Sequence, residues 1–172
     1  EDGAAAAQTV IDIASSQFNQ SVIDDPRAFL ESICLDAHNA ILTLSDNCKS
    51  APGSTCVIAY LTDKQVYCVH IGDSRLYQFN GGRLMHKTSD HSIAQLMAEQ
   101  ESDLNDEAGH SAPRNQLYMC LGGNNELNPE FYASKVSVGD FFLLCSDGFW
   151  NQVDVEEIFE KTDGTSIDQN YV

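Results

Sequence analysis

The chain has 172 residues, of which 42% are hydrophobic and 9% aromatic, enough for one folded domain with a sizeable core. Its formal charge of −17, from 26 acidic and 9 basic residues, argues against nucleic acid or an anionic membrane as the main partner. No apolar run approaches the ~20 residues that cross a bilayer. The six cysteines form no C-x-x-C pair, which argues against a zinc ribbon or a thioredoxin-like site. Cys56, Cys68 and Cys145 lie in apolar strand-like runs typical of small buried hydrophobes, which favours a reducing, cytoplasmic compartment.

The first part of the chain is predicted to form two helices. Apolar residues recur at helical spacing on one face of residues 4–18, and again along one stripe of residues 26–44. Asp25 is placed to cap the second helix, and Pro26 suits its first position. Because the connection between the two helices is short, they are expected to pair antiparallel.

From residue 55 the apolar pattern changes to that of strands. Short turns separate the runs, and Asn80-Gly81-Gly82 is a strong hairpin signal, so the pattern predicts an antiparallel meander. The predicted strands cover residues 56–61, 65–71, 75–79 and 83–86.

A helix over residues 93–100 is predicted next, with Ser89 or Asp90 as its cap. Residues 101–114 are polar and show no periodicity, which is typical of a long surface loop.

The last part of the chain is predicted to contain three extended segments and a helix. These are residues 116–121, 131–136 and 141–145, followed by an amphipathic helix over residues 151–160. The strand at 141–145 is a run of five apolar residues, which predicts burial on both faces. The strand is followed by Ser146-Asp147-Gly148, so a carboxylate lies at its C-terminal end, beside a glycine that permits a sharp turn. Strands in runs with segregated helices indicate an α+β fold with antiparallel sheets.

Three aspartates, Asp73, Asp147 and Asp168, stand where predicted strands break or where the chain nears its end. A single aspartate at such a place is most often a cap or a turn residue. Several that converge would repel one another unless a cation neutralises them. Carboxylate ligands without histidine or cysteine suit Mg²⁺ or Mn²⁺ better than Zn²⁺.

An ordered set of motifs resembles the metal-dependent (PPM, or type 2C) protein serine/threonine phosphatases, in a compact, bacterial-like form. Gly53-Ser54-Thr55 and Arg114-Asn115-Gln116-Leu117 are similar to further segments of that family. The motifs that carry the resemblance are Gly72-Asp73-Ser74-Arg75, Thr88-Ser89-Asp90-His91-Ser92, Gly139-Asp140 and Leu143-Leu144-Cys145-Ser146-Asp147-Gly148-Phe149-Trp150.

The resemblance implies a fold and a set of metal ligands. The fold is a β-sandwich of two antiparallel sheets flanked by helices, with the metal site between the sheets. Asp147 resembles a ligand of the binuclear centre, and Asp73 the aspartate that shares a third metal with it in bacterial members. Asp168 resembles the C-terminal aspartate of the binuclear centre. The register of Asp168-Gln169-Asn170 is irregular, so Gln169 stands where either the asparagine or the aspartate belongs.

The resemblance also implies an activity. The expected reaction is hydrolysis of phosphoserine and phosphothreonine by a water that a binuclear Mn²⁺ or Mg²⁺ centre activates, with a third ion in bacterial members. The substrates would be phosphorylated proteins made by a partner serine/threonine kinase, and the protein would act as a cytoplasmic monomer. The segment at 101–114 corresponds to the family's flap, which makes His110 and Arg114 candidates for contact with substrate.

The beginning of the chain departs from the family pattern. Glu1-Asp2-Gly3 runs straight into the first helix, whereas the family begins with strands and an Asp-Gly-x-Gly-Gly metal loop. Residues 1–172 are therefore expected to be a single phosphatase domain without those strands. A piece of a longer chain is favoured over a degenerate member, because losing the strands would expose sheet edges. The alternatives for function are a catalytically inactive regulatory or binding module of this family and an acidic cation-binding structural domain.

Overall fold

Two helices, α1 (Asp2–Gln20) and α2 (Pro26–Ser45), open the fold in a computed structural model that describes residues 2–20, 22–45, 51–104 and 116–161. Asp25 accepts the backbone N–H groups of Arg27 and Ala28 at 3.0 and 3.2 Å, which confirms it as the cap of α2. No helix in these described ranges is long and apolar enough to cross a membrane.

The remaining elements are strands with short helices between and after them. The strands are β1 (Cys56–Leu61), β2 (Gln65–Ile71), β3 (Arg75–Asn80), β4 (Arg83–Lys87), β5 (Glu130–Lys135) and β6 (Asp140–Cys145). The later helices are α3 (Ile93–Leu104), α4 (Asp147–Trp150) and α5 (Val155–Lys161).

The strands form two antiparallel three-stranded sheets, in the orders β1-β2-β5 and β4-β3-β6. The sheets face each other, since the Tyr132 hydroxyl and the Ser134 hydroxyl of the first both donate to Gln78 Oε1 of the second, at 2.9 and 3.0 Å. This confirms the predicted α+β sandwich.

Helices cover both outer faces of the sandwich. Helices α1 and α2 bury the larger core against β1 and β2, with Leu30, Ile33 and Ile71 among its fully buried side chains. On the other side α5 stacks Phe159 against Phe79, with ring centroids 4.3 Å apart. The layers are therefore helix, sheet, sheet and helix, which leaves the ends of the sandwich as the places where loops can form a site.

The predicted strand at 141–145 is confirmed in position, but the prediction that it is buried on both faces is wrong. In the described part of the chain β6 pairs with β3 alone and forms the edge of its sheet. Leu144, on the face toward the other sheet, is 41% exposed. The apolar run does not distinguish a central strand from an edge strand, because both can be hydrophobic throughout.

Several predicted boundaries moved. Helix α3 continues to Leu104, into the segment predicted as loop, and Ser92 caps it through Gln95 N–H at 3.2 Å in place of Ser89 or Asp90. The predicted helix over 151–160 begins only at Val155. Residues 116–121 form two isolated bridges, Leu117 with Ser92 and Leu121 with Ser54, where a strand was predicted.

Candidate metal centre

Asp73 and Asp147 lie at the same end of the second sheet. The register pairs Arg75, the first residue of β3, with Cys145, the last residue of β6. Asp73 lies two residues before this terminal pair and Asp147 two residues after it, so the pairing brings both to the same end of the sheet. The predicted convergence of these two carboxylates is therefore a consequence of antiparallel pairing.

Electrostatics supports this proximity. Burial raises the pKa of the Asp73 carboxyl above its ordinary value, and repulsion from the Asp147 carboxylate raises it further. Asp147 itself is exposed. A divalent cation between the two would relieve their repulsion, and hard cations prefer such oxygen ligands. These two residues therefore fit the metal that the sequence predicts.

Asp147 stands on an element that the sequence reasoning did not predict. It is the first residue of the single-turn helix α4, where a sharp strand-end turn was expected. Gly148 lies inside that turn of helix and is not among the glycines with positive φ, so the predicted role of Gly148 in turning the chain is wrong. Ser146 precedes the helix in an extended conformation, and the Phe149 N–H bonds its carbonyl at 3.0 Å.

Trp150 and Arg75 connect the two aspartate-bearing segments. Trp150 lies at the end of α4, and its Nε1–H donates to the Asp73 carbonyl at 2.9 Å. The guanidinium of Arg75 stacks over the Trp150 ring at 3.5 Å and donates to both carboxylate oxygens of Asp90 at 2.7 Å. It also donates to the Tyr77 hydroxyl at 3.0 Å. The nitrogens of Arg75 thus bind groups of the protein itself, which gives Arg75 a structural role.

The backbone of Gly72, just before Asp73, is in a conformation that favours glycine. Its φ is +95°, and a Cβ there would lie 2.3 Å from Cγ2 of Thr55. His91 binds both polar backbone groups of this glycine: the Gly72 N–H donates to His91 Nδ1 at 3.1 Å, and the His91 N–H donates to the Gly72 carbonyl at 2.9 Å. His91 therefore supports this turn.

A buried histidine pair lies behind the turn. His70 and His91 stack with centroids 4.7 Å apart, and both rings are buried. Glu130 Oε2 lies 3.7 Å from His70 Nε2 and 3.6 Å from His91 Nε2, beyond hydrogen-bond length. We call these three residues the histidine cluster. Sequence reasoning missed Glu130 because its proximity depends on the pairing of β2 with β5, which lie far apart in the chain.

Three predicted site residues lie outside the described residues, namely Asp168, His110 and Arg114. The described part of the site therefore consists of Asp73 and Asp147, with the residues that hold their two turns in place.

A separate polar cleft of about 360 Å³ opens beside Trp150. Its two cationic side chains are already paired, Arg75 with Asp90 and Lys87 with Glu156 at 2.7 and 3.0 Å. Asp73 and Asp147 do not line this cleft, and among the described residues that line it no cation is uncommitted.

Comparison with known proteins identifies relatives with the same architecture. A family model described as "Protein phosphatase 2C" matches residues 2–167. The serine/threonine protein phosphatase PstP of Mycobacterium tuberculosis is 33% identical over 108 residues, 63% of this chain and 21% of that protein. The protein phosphatase PhpP of Streptococcus pneumoniae is 31% identical over 106 residues, 62% of this chain and 43% of that protein.

A solved structure of the catalytic domain of PstP, in complex with two manganese ions, superposes on the fold. The TM-score is 0.73 at 26% sequence identity, and the match covers 91% of this chain and 66% of that one. The chain thus spans less than half the length of the two curated relatives and about two thirds of this solved domain.

Proposed function

Because the chain belongs to the protein phosphatase 2C family, we propose that the whole protein is a metal-dependent serine/threonine protein phosphatase. The observation that carries this proposal is the proximity of Asp73 to Asp147 at one end of the second sheet, in a fold shared with phosphatases. Two carboxylates of which one has a raised pKa, beside an exposed helix start, form a cation site open to substrate.

The residues of the site have separate roles in this proposal. Asp147 and Asp73 would hold the ions, and Asp168 would complete the binuclear set. Bound Mn²⁺ or Mg²⁺ would supply the positive charge that lowers the pKa of water and balances the charge of the transferring phosphoryl group. Trp150 and Arg75 keep the two aspartate-bearing turns in a fixed relation, since they link α4 to the Asp73 carbonyl. His110 and Arg114 would contact the phosphorylated substrate.

The proposed substrates are proteins that carry phosphoserine or phosphothreonine, placed there by a partner kinase. We also propose that the protein acts as a monomer. A cytoplasmic location is proposed because the cysteines in the described residues are free thiols, including Cys34 and Cys56, whose sulfurs lie 3.8 Å apart. The strong acidic charge supports a partner that is neither nucleic acid nor an anionic membrane.

The proposal is tested with the full-length protein on a phosphothreonine peptide and on p-nitrophenyl phosphate. Hydrolysis should require added Mn²⁺ or Mg²⁺, stop on chelation, and return when the ion is restored. Activity that survives exhaustive chelation would refute the metal-dependent mechanism. A protein that binds Mn²⁺ yet hydrolyses neither compound would support the inactive regulatory module instead.

A further inference from the structure

The histidine cluster has the composition of a metal site, but its protons argue against that role. Two histidines and a glutamate with mutually close ligand atoms are a common donor set for zinc. A ligating nitrogen must be free of its proton, and a ligating histidine usually donates from its other nitrogen. Here His91 Nδ1 accepts the Gly72 N–H, so a neutral His91 carries its proton on Nε2, the atom that faces Glu130.

The tautomer of His70 is set in the same way. Its Nε2 lies 2.8 Å from the Ser89 carbonyl, which can only accept, so Nε2 of His70 also carries a proton. The Nε2–H of His70 is directed at the Ser89 carbonyl, and Glu130 Oε2 lies 3.7 Å from His70 Nε2 and 3.6 Å from His91 Nε2. The negative charge of Glu130 near both Nε2 atoms favours protons there. The cluster is therefore organised to keep His91 Nδ1 unprotonated and available to Gly72.

The contacts of His91 leave little freedom to the turn that precedes Asp73. Its side chain and its N–H engage both polar groups of Gly72, and its own carbonyl accepts the Tyr118 N–H at 3.0 Å. Thr55 closes the other side of the turn: it would meet any Cβ on Gly72, and its hydroxyl lies 2.8 Å from the Ser74 hydroxyl. The direction in which the chain leaves Gly72, and hence the place of the Asp73 carboxylate, follows from these contacts.

We infer that His91 is a positioning residue for the metal centre: its unprotonated Nδ1 holds Gly72 so that Asp73 stands opposite Asp147. The inference rests on the proposed function in so far as Asp73 is a metal ligand. It assigns His70 and Glu130 the supporting task of fixing the orientation and tautomer of the His91 ring. Glu130 is half-exposed, so solvent screens its charge and its contribution is the smaller one.

The chain contains a matched control for this contact. His38 accepts the N–H of Gly122 at Nδ1, also at 3.1 Å. Gly122 likewise has a positive φ of +76°, and a Cβ there would lie 2.3 Å from Ile41 Cγ2. The N–H to Nδ1 distance is the same in the two histidine–glycine contacts, but neither Asp73 nor Asp147 lies in the Gly122 turn. A purely structural effect should therefore appear in both places, and a positioning effect only at His91.

The test compares His91→Gln with His91→Asn in the full-length protein, with His38→Gln as control. An asparagine Oδ1 can replace Nδ1 as the acceptor for Gly72, whereas glutamine places its amide near the Nε2 position and loses that contact. Calorimetric titration with Mn²⁺, the kcat and KM for p-nitrophenyl phosphate, and metal-free thermal melts are measured for each variant.

His91→Gln should weaken Mn²⁺ binding about tenfold or more and lower kcat by a similar factor with KM little changed. His91→Asn should remain close to wild type in both measurements. His38→Gln should lower the melting temperature and leave the Mn²⁺ titration unchanged. Wild-type Mn²⁺ binding in His91→Gln, or equal weakening in His38→Gln, would overturn the inference.

If His91→Gln does not fold, His91→Asn decides alone: wild-type Mn²⁺ binding supports the acceptor role, and weakened binding overturns it. A different result would show that the proposed function is wrong. A wild-type protein that binds Mn²⁺ without hydrolysing the ester would refute phosphatase activity, while the Mn²⁺ titrations would still test the role of His91.

Discussion

Gly72 shows how one residue fixes the geometry of the candidate site. It combines a φ of +95° with the absence of space for a Cβ, because Thr55 Cγ2 and Cβ would lie 2.3 and 2.7 Å away. Gly81, in the β3–β4 turn, has a φ of +56° but nothing within 4 Å of an added Cβ. A comparison of substitutions at the two glycines therefore distinguishes the cost of a positive φ from the cost of a clash with an added Cβ.

We expect Gly72→Ala to lower the free energy of unfolding by about 1–3 kcal/mol, since it adds a clash with Thr55 to the strain of a positive φ. The matched control Gly81→Ala should cost about 1 kcal/mol, from strain alone. Urea denaturation of the metal-free protein measures both. Equal losses would show that the packing of Thr55 against Gly72 is not what restricts this position.

At the scale of elements, the start of β6 is attached to the end of β3 by side chains as well as by the strand pairing. Asp140 accepts hydrogen bonds from the Ser137 N–H at 2.9 Å, from Asn80 at 2.6 Å and from Gln78 at 3.0 Å. Partial burial alone would raise the pKa of the Asp140 carboxyl, but these donors outweigh it and the pKa lies below its ordinary value. The charged form is thus favoured by folding.

The stability that Asp140 contributes should therefore depend on pH. A pKa lowered by folding stabilises the protein above the ordinary aspartate value of about 4 and loses that effect as pH falls through the folded value. Asp140→Asn should lower the melting temperature at pH 7, and the difference from wild type should narrow below about pH 4. Asp63→Asn, in the exposed β1–β2 turn, serves as control. A difference that is constant across this pH range would contradict the assignment.

Local sequence patterns predicted the positions of most helices and strands well. They did not predict which strands pair or which residues distant in the chain come into contact. The bounds of β1 and β2 and the Asp25 cap were predicted correctly, because they depend on alternation and on residues three positions apart. The edge position of β6 was missed, because it depends on which strands pair. Glu130 was not predicted as a neighbour of His70 for the same reason, because the two meet only through the pairing of β2 with β5.

For the molecule as a whole, the antiparallel pairing of β3 with β6 is what brings the chemistry together. Asp73 and Asp147 are 74 positions apart in the sequence and become neighbours only because Arg75 pairs with Cys145. Spacing alone could suggest each aspartate as a strand-end residue and could not show that they meet. The resemblance to the family supplied that expectation, and the register of the second sheet supplies its structural reason.

The family resemblance predicts unequal roles for the two aspartates. Asp147 lies exposed on α4, as the binuclear ligand that the family resemblance describes, whereas Asp73 is partly buried and its pKa is raised. Asp147→Ala should therefore remove ions that generate the nucleophile, and Asp73→Ala only a weaker third ion. Neither substitution should unfold the metal-free protein, because each relieves repulsion between like charges.

The most direct test is calorimetric titration of the full-length protein with Mn²⁺, beside turnover of p-nitrophenyl phosphate, for wild type, Asp147→Ala, Asp73→Ala and the control Asp63→Ala. Asp147→Ala should lose metal stoichiometry and at least about 100-fold in turnover, the equivalent of roughly 3 kcal/mol of transition-state stabilisation. Asp73→Ala should keep its tight ions and lose turnover only in part, and Asp63→Ala should match wild type. Full stoichiometry with near-normal turnover in Asp147→Ala would contradict the assignment of this end of the sandwich as the metal centre.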